Sequence, residues 1–337
     1  MRRARAPTLG IAVLGTGAAA RMHAKHLTRW FPEIRRYVAS RSGARAQELA
    51  RAVRATAHFG SYEDALAHGD VEAVLVTTPP ASHLQLTLRA LRAGKHVIVE
   101  KPAFLRAADF DLVRRAAHHH GRGVLVAENY FYKPLLGRLR ALVASGALGQ
   151  IRFVQINAVK RQLVEGWRTD PASSGGGALF EGGVHWVSLM ANLGLDLRDV
   201  RAHMPGSAPG FERSVVLVGD YAEGAVGVLS YSWEIPGALR GLRLSRIWGT
   251  AASVLFETNG LFVARTGRRP ALWVPDPTDI AGYRAMLADF LGALREGRPA
   301  RFTLEAARRD VALVERAYGA ASDPPCSVPV IDEEMIA

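Results

Sequence analysis

The chain has 337 residues, of which 49% are hydrophobic and 22% charged, with a formal net charge of +12. At roughly 100–200 residues per domain this length predicts two domains, and the composition excludes a disordered chain. The arginines are scattered through every segment and no basic run interleaves with aromatic residues, which argues against a nucleic-acid partner. A single cysteine, Cys326, excludes an internal disulfide framework, and no apolar run is long enough to span a membrane. We therefore expect a cytoplasmic protein without metal or membrane contact.

The first third of the chain alternates short apolar runs with helical patterns. Strands are predicted over Leu9–Leu14, Arg35–Ala39, His58–Phe59, Ala73–Thr77, His96–Val99 and Gly123–Ala127. Helices are predicted over Ala18–Trp30, Ala44–Arg54, Tyr62–His68, Ser82–Ala93 and Ala107–His119. Continuously apolar strands that alternate with helices are typical of a doubly wound parallel sheet of the Rossmann type. We assign residues 1–128 to this dinucleotide-binding domain.

The pattern changes near residue 129. A helix is predicted over Pro134–Ser145, and longer, partly alternating strands follow over Ile151–Val159, Ser214–Val218, Ala225–Trp233, Leu242–Trp248, Ser253–Glu257 and Leu261–Ala264. Helices over Ile280–Glu296 and Leu304–Ala320 close the chain, while 206–210 and 268–277 are predicted loops. Residues 129–337 are thus predicted to form an α+β domain whose sheet is open on one face and mostly antiparallel.

A glycine turn follows the first predicted strand and leads into a helix. Its residues are Gly15, Thr16, Gly17, Ala18, Ala19 and Ala20. Gly15 permits a tight turn, Gly17 lets the backbone approach a pyrophosphate, and Ala20 allows close packing of the helix on the sheet. We predict that residues 15–19 bind a dinucleotide, although a glycine turn without a ligand has the same pattern.

The end of the second predicted strand carries no acidic residue. An NAD-binding fold would place Asp or Glu there for the ribose 2′-hydroxyl, whereas this chain has Ser40 and Arg41, followed by Arg45. A hydroxyl and guanidinium groups suit a 2′-phosphate, so NADP(H) is predicted in preference to NAD(H). The alternative is that both arginines only decorate the start of a helix.

Lys101 follows a predicted strand in the run Glu100-Lys101-Pro102, at the edge where open α/β sheets bind ligands. Lysine releases its proton when partly desolvated, which makes Lys101 a candidate general acid or base, with Glu100 steadying its ammonium. A surface lysine before a proline is the alternative.

A second cluster comprises Glu181 and His185, which are four residues apart after the glycines 175–177 and therefore share one helical face. No third ligand accompanies them, so proton transfer is favoured over a metal site.

Taken together, these residues resemble the glucose–fructose oxidoreductase/inositol dehydrogenase (Gfo/Idh/MocA) family. The resemblance covers nearly the whole chain, from the glycine turn through residues 78–83, 93–97, 100–102, 167–171 and 175–185 to 290–299. It implies that Lys101 contacts the reacting hydroxyl and that His185 assists it. The family has Asp where this chain has Glu181, and often an acidic residue where it has Ser188. The resemblance also implies a homodimer or homotetramer formed through the open sheet.

The remaining candidate residues are assigned by position within the resemblance. Residues expected to contact the cofactor, besides the glycine turn and the Ser40 region, are Thr78, Pro79, His83, Glu100, Lys101 and Asn129. Residues expected to line the substrate pocket are Tyr130, Tyr132, Lys160, Trp167, Arg168 and His185, although the two tyrosines would equally serve as packing groups.

The expected function is hydride transfer between NADP(H) and a sugar, a polyol or a cyclic alcohol or ketone. Lys101 is the proton-transfer residue in this hypothesis. One alternative is an oxidoreductase that never releases its NADP. The other is a regulatory or ligand-sensing protein of the same fold. This interpretation stays open because Glu181 stands where the family has Asp.

Overall fold

A computed structural model describes residues 9–206, 211–237 and 241–320. These residues form two compact units, 9–127 with 287–305 and 128–286 with 306–320. The range 287–305, which we expected in the second domain, thus belongs to the first unit. Leu294 lies against Gly123, and Arg295 is 3.4 Å from Glu33. Cys326 lies outside the described residues.

The first unit is a six-stranded sheet with helices between its strands. The strands are β1 (Gly10–Leu14), β2 (Arg35–Ala39), β3 (Ala57–Phe59), β4 (Ala73–Val76), β5 (His96–Glu100) and β6 (Val124–Ala127). The helices are α1 (Ala18–Trp30), α2 (Gly43–Ala52), α3 (Tyr62–Ala67), α4 (His83–Arg92) and α5 (Ala107–His119). Every strand pair is parallel and the order is β3-β2-β1-β4-β5-β6, which confirms the predicted Rossmann-type sheet.

The parallel sheet explains why polar residues follow so many of its strands. All residues of β1 and β4 are buried, so these strands have no room for functional polar groups. Because parallel strands end at the same edge, the residues after β1, β2, β4 and β5 lie along one carboxyl edge. That edge carries Gly15, Ser40, Thr77 and Lys101.

The second unit contains an eight-stranded sheet and most of the remaining helices. Its helices are α6 (Asn129–Tyr132), α7 (Pro134–Ala144), α8 (Pro171–Ser174), α9 (Val184–Ala191) and α11 (Leu304–Ala320), while α10 (Tyr283–Glu296) runs from this unit into the first. Its strands are β7 (Ile151–Val159), β8 (Leu197–His203), β9 (Ser214–Tyr221), β10 (Val226–Ser232), β11 (Leu244–Gly249), β12 (Ser253–Glu257), β13 (Val263–Arg265) and β14 (Ala271–Trp273).

The sheet order is β14-β13-β12-β11-β7-β10-β9-β8, and only β7 and β10 pair in parallel. This confirms the mostly antiparallel sheet. Two strands were missed, namely β8 and β14, of which β14 lies in the segment 268–277 that we predicted as a loop. β14 is three residues long and Leu272 in it is 70% exposed, so it has little apolar periodicity to reveal it.

The helix α9 packs against one face of the eight-stranded sheet at β9 and β10. The hydroxyl of Tyr221 in β9 donates to the carbonyl of Met190 in α9 at 3.2 Å. The chain enters α9 through one π-helical turn, Leu179–Gly183, which is fully buried. A π-turn changes the side-chain register, so Glu181 and His185 do not follow the uninterrupted α-helix that we expected. In the described part of the chain, no helix is long and apolar enough to cross a membrane.

Candidate functional site

The glycine turn after β1 has a conformation that demands glycine. Gly15 has φ +120°, and a Cβ on it would lie 2.8 Å from the hydroxyl oxygen of Thr77. Its N–H donates to the carbonyl of Ala39 at 2.9 Å, which fastens the turn to the end of β2. An alanine at position 15 would therefore be both strained and in collision.

Gly17, by contrast, faces open space. It precedes α1, is exposed, and a Cβ added to it would meet nothing within 4 Å. No protein contact therefore explains the missing side chain. The first turn of α1 contains no acidic residue, so its free N–H groups face the opening without a competing negative charge. A diphosphate fits this environment in both space and charge.

The start of α2 gathers three of the predicted cofactor residues. Ser40 is buried and its hydroxyl accepts from the N–H of Ser42 at 3.2 Å. Ser42 in turn caps α2 by accepting from the N–H of Arg45. Arg41 and Arg45 are exposed, and the Arg41 guanidinium hydrogen-bonds the hydroxyl of Tyr62. Two cations beside a helix N-terminus make this a favourable place for an anion.

Thr78, Pro79 and His83 follow β4. The hydroxyl of Ser82 donates to that of Thr78 at 2.7 Å, while His83 is only 1% exposed. The His83 ring faces the carbonyl of Thr78 through Nε2 at 2.7 Å and that of Pro102 through Nδ1 at 3.0 Å. Burial lowers the pKa of His83, against the raising effect of these carbonyls. Its imidazole thus fastens the segment after β4 to the segment after Lys101, and is not directed outward as a cofactor contact would be.

Lys101 begins the segment after β5 and is partly exposed, and its peptide bond to Pro102 is cis. Glu100 before it accepts from the Lys101 N–H at 2.9 Å and lies 2.6 Å from Nε2 of His23. Burial raises the pKa of Glu100, but the hydrogen bond and charge of His23, together with Lys101, lower it to about 2. Glu100 is therefore ionised at neutral pH.

His23 was not among our predicted site residues, although the sequence carried a signal for it. It lies on the buried face of α1 with Ala20, Ala24 and Leu27, a spacing of three, four and seven residues from Ala20. A histidine in an otherwise apolar stripe needs a buried partner. The signal could not name that partner, which is 77 residues away.

In the second unit, His185 is held by a carboxylate that we had not predicted. Nδ1 of His185 lies 2.7 Å and 2.9 Å from the two carboxylate oxygens of Glu128, which is 2% exposed. The imidazole also stacks on the ring of Tyr130, with centroids 4.2 Å apart. Glu128 follows β6 directly, as Glu100 ends β5, so the end of a strand was again the available signal.

A buried lysine supports the other face of this stack. Nζ of Lys133 lies 4.1 Å from the centroid of the Tyr130 ring and donates to the carbonyl of Asn259 at 3.0 Å. Burial lowers the pKa of Lys133 to about 8, although Glu257 opposes the shift. Burial and the charge of Glu128 raise the pKa of Tyr130 to about 12, so its phenol remains neutral.

Glu181 is buried and paired with a residue of the preceding loop. Its Oε1 accepts from Nε of Arg168 at 2.8 Å, and the Arg168 guanidinium lies over the ring of Trp167 at 5.0 Å. Three residues that we predicted separately are thereby brought together. The carboxylate that replaces the family's Asp holds the loop at residues 166–169.

Ser188 stands where the family often has an acidic residue, and a carboxylate reaches it from α11. Asp310 is buried, hydrogen-bonds Ser188, and accepts from Arg309 at 2.8 Å. Burial raises the pKa of Asp310 to about 6, against the charge of Arg309, and Glu128 adds to the raise. Nothing in the local sequence indicated this approach.

The remaining predicted residues have different surroundings. Asn129 is 3% exposed and its amide donates to the carbonyl of Ala281 at 2.8 Å, so it has a structural partner in the second unit. Tyr132 is buried against Phe131, as a packing group would be. Lys160 is exposed directly after β7. Among the described residues, no group of three or more His, Cys, Asp and Glu side chains could hold a metal ion.

With this geometry established, comparisons with known proteins assign the class. Residues 9–128 match the oxidoreductase family with an NAD-binding Rossmann fold, and residues 136–255 match the GFO/IDH/MocA C-terminal domain. The chain therefore belongs to the Gfo/Idh/MocA oxidoreductase family.

Individual relatives are similar over parts or most of the chain. The dTDP-3,4-didehydro-2,6-dideoxy-alpha-D-glucose 3-reductase of Streptomyces violaceoruber is 38% identical over 48% of this chain and 47% of its own. The bovine (Bos taurus) trans-1,2-dihydrobenzene-1,2-diol dehydrogenase is 33% identical over 42% of each chain. The matches thus span about half the length of the curated relatives. The structure of GenD2 from gentamicin A biosynthesis, in complex with NAD, is similar with a TM-score of 0.82 at 27% identity, over 96% of this chain and 97% of that one.

Proposed function

We propose that this protein is an NADP(H)-dependent oxidoreductase that interconverts the CH–OH group of a sugar, polyol or cyclic alcohol with the corresponding ketone. The observation that carries the proposal lies within the first unit. A glycine turn with open space at Gly17 and a lysine that follows β5 stand on the carboxyl edge of one parallel sheet. Open α/β sheets bind their ligands at that edge.

Lys101 exchanges the hydroxyl proton of the substrate in this proposal. Its backbone is held by the Glu100 carboxylate, so the side chain starts from a fixed point. His185 presents Nδ1 to Glu128, which fixes the orientation of its imidazole for contact with a substrate oxygen. The nicotinamide supplies the hydride acceptor or donor when it is bound, and the chain supplies alignment and proton transfer.

The charges at the start of α2 support the preference for NADP(H). Arg41 and Arg45 are exposed cations beside a helix N-terminus, and no carboxylate follows β2 to accept from a ribose 2′-hydroxyl. The similar GenD2 structure contains NAD. The proposed preference for NADP(H) over NAD(H) therefore depends on the positive charge of the residues that follow β2.

The substrate class is supported by relatives as well as by residues. Two of them are described as a reductase of a dTDP-linked keto sugar and a dehydrogenase of a cyclic diol. Aromatic and cationic side chains such as Tyr130 and Arg168 suit ring faces and hydroxyl groups. We also propose a homodimer or homotetramer formed through the eight-stranded sheet, where Phe153 is 54% exposed, and a cytoplasmic location.

Cofactor preference is tested by titrating the protein with NADPH and NADH while nicotinamide fluorescence is recorded. We expect NADPH to bind at least about tenfold more tightly, because one charge-assisted hydrogen bond contributes roughly 1.5–3 kcal/mol. The variant Arg41→Ala should weaken NADPH and leave NADH nearly unchanged. Equal loss for both cofactors would overturn the assignment of Arg41 to a 2′-phosphate.

The role of Lys101 is tested by turnover across a panel of sugars, polyols and cyclic ketones. Lys101→Ala should lower kcat by about 10²–10⁴-fold, while Lys25→Ala, which removes an exposed lysine of α1, serves as the matched control. Turnover that survives Lys101→Ala would overturn the proton-transfer role. A protein that binds NADPH but turns over no member of the panel would instead favour a ligand-sensing role, consistent with the engagement of Glu181 by Arg168.

A further inference from the structure

A buried contact between a histidine and a glutamate of the first unit joins the helix of the glycine turn to the segment that presents Lys101. His23 is fully buried on α1, and its Nε2 lies 2.6 Å from Oε1 of Glu100 at the end of β5. The other carboxylate oxygen of Glu100 accepts from the Lys101 N–H at 2.9 Å. One carboxylate therefore connects α1 and the backbone of Lys101.

This connection runs from the second turn of α1 to the segment that begins with Lys101. His23 lies in the second turn of α1, the helix whose first N–H groups face the open space at Gly17. The titratable neighbours of Glu100 are His23 from α1, Lys101 from its own segment and His83 from α4. His83 already faces the carbonyls of Thr78 and Pro102, so His23 is the group that meets Oε1.

Electrostatic interactions restrict the movement of the His23 and Glu100 side chains. Burial disfavours a charged Glu100, yet its pKa is lowered to about 2 because His23 and Lys101 stabilise the carboxylate. A buried charge that loses its partner is left uncompensated, so neither side chain can move away cheaply. Charge-assisted hydrogen bonds are also shorter and more restrictive than neutral ones.

We propose that His23 is a positioning residue that fixes Glu100, and through it Lys101, relative to the dinucleotide-binding end of α1. This inference rests on the proposed function, because it assumes that Lys101 transfers the proton. His23 contacts neither substrate nor cofactor. It connects the pyrophosphate-binding end of α1 to the segment that presents Lys101. The distance between these two parts of the first unit therefore stays fixed when the cofactor binds.

The test compares His23→Leu, His23→Gln and Glu100→Gln with the parent protein. His23→Leu should lower kcat by about 100-fold, because a misplacement of about 1 Å costs that much, while the Kd for NADPH changes less than about threefold. His23→Gln retains a donor for Glu100 and should restore part of the rate. Glu100→Gln should resemble His23→Leu in kcat.

A matched control separates positioning from general destabilisation. Asp289→Asn perturbs another buried carboxylate of the first unit, one that accepts from Arg298 at 2.9 Å and from the Arg301 N–H at 2.8 Å. It should lower thermal stability without the loss in kcat. If Asp289→Asn lowers kcat as much as the His23 variants do at a comparable loss of stability, the proposal is overturned, because destabilisation alone then explains the effect. A kcat within about threefold of the parent overturns it as well.

A readout that needs no turnover distinguishes this failure from failure of the proposed function. The chain has five lysines, Lys25, Lys95, Lys101, Lys133 and Lys160, so ¹³C-lysine NMR gives a spectrum that can be assigned by single variants. Addition of NADPH should shift the Lys101 signal in the parent and shift it less in His23→Leu. An equal shift in both proteins overturns the positioning role, even if the parent turns over no substrate. The variant Glu100→Gln provides the same comparison if His23→Leu fails to fold.

Discussion

The two units each contain a buried pair of histidine and glutamate, with the exposure of the partners reversed. In the first unit the His23 side chain is fully buried, while 11% of the Glu100 side chain is exposed. In the second unit the Glu128 side chain is 3% exposed and that of His185 14%. The two contacts are nearly equal in length, at 2.6 Å and 2.7 Å. The distance alone therefore does not distinguish their roles.

The two pairs differ in the group that the less exposed residue orients. The buried His23 holds a carboxylate whose second oxygen secures the backbone of Lys101. The buried Glu128 holds the imidazole of His185 through Nδ1. In each pair the less exposed residue positions the more exposed one. The surroundings differ too, because Glu128 has two titratable neighbours, Lys133 and Asp310, whose pKa values are shifted by burial toward neutrality.

Among the tests of this comparison, breaking the second pair should have the largest effect. Glu128→Gln replaces one carboxylate oxygen by an N–H₂ donor, so the amide can no longer accept from His185 at both positions. We expect kcat to fall by about 100-fold because the imidazole loses its fixed orientation, with NADPH binding nearly unchanged. Steady-state kinetics and the NADPH titration measure the two quantities.

Glu223→Gln is the control for this experiment. Glu223 is an exposed carboxylate of the same unit that accepts from the Asp196 N–H at 3.1 Å. If Glu128→Gln and Glu223→Gln give the same kcat, the His185–Glu128 pair does not orient a catalytic group and the comparison between the units fails.

The two pairs also differ in how far the sequence could reveal them. The strands and glycine turn of the first unit were predictable because buried parallel strands are continuously apolar and because Gly15 needs a positive φ. Lys101 and His185 were identifiable from their motifs. The pairing of His23 with Glu100 and of Glu128 with His185 could not be identified, because residues 77 or 57 positions apart have no local pattern.

The same reason explains the remaining misses. Asp310 approaches Ser188 from α11, more than a hundred residues further along the chain, so no local spacing encodes this contact. The edge strand β14 and the π-turn at Leu179–Gly183 depend on tertiary packing that local propensity does not carry. The sequence therefore predicts which groups could do chemistry better than it predicts what holds them in place.

The next prediction concerns the lysine beneath Tyr130. Burial lowers the pKa of Lys133 from 10.5 to about 8, so between these pH values the unfolded chain binds more protons than the folded one. Folding must then become more favourable as the pH rises through this window. Relative to Lys133→Met, the parent should gain roughly 3 kcal/mol in free energy of unfolding between pH 8 and pH 10.5.

Urea denaturation at several pH values measures this difference. Arg152→Met removes an exposed cation of the same unit and is run in parallel as the control for loss of a charge. Glu100→Gln should show no change in slope across the same window, because the pKa of Glu100 is about 2. If the difference in free energy of unfolding between the parent and Lys133→Met does not change with pH, Lys133 does not titrate near pH 8. The second pair would then lack the shifted lysine that distinguishes its surroundings from those of the first pair.

The smallest expected effect concerns Asp310, on the other side of Glu128. Burial raises its pKa from 3.8 to about 6, so the folded protein binds more protons than the unfolded chain between these values. Stability conferred by the protonated carboxyl is present below about pH 4 and is lost as the pH rises through 6. Relative to Asp310→Asn, the parent should lose roughly 2 kcal/mol between pH 4 and pH 6, a figure discounted because Arg309 is partly exposed. Denaturation curves at pH 4, 5 and 6 give the slope, and Asp196→Asn, an exposed carboxylate paired with Arg198, corrects for ordinary aspartate titration. A slope of the opposite sign would show that Arg309 outweighs burial and keeps Asp310 ionised, as His23 does for Glu100, and the contrast between the surroundings of the two pairs would disappear.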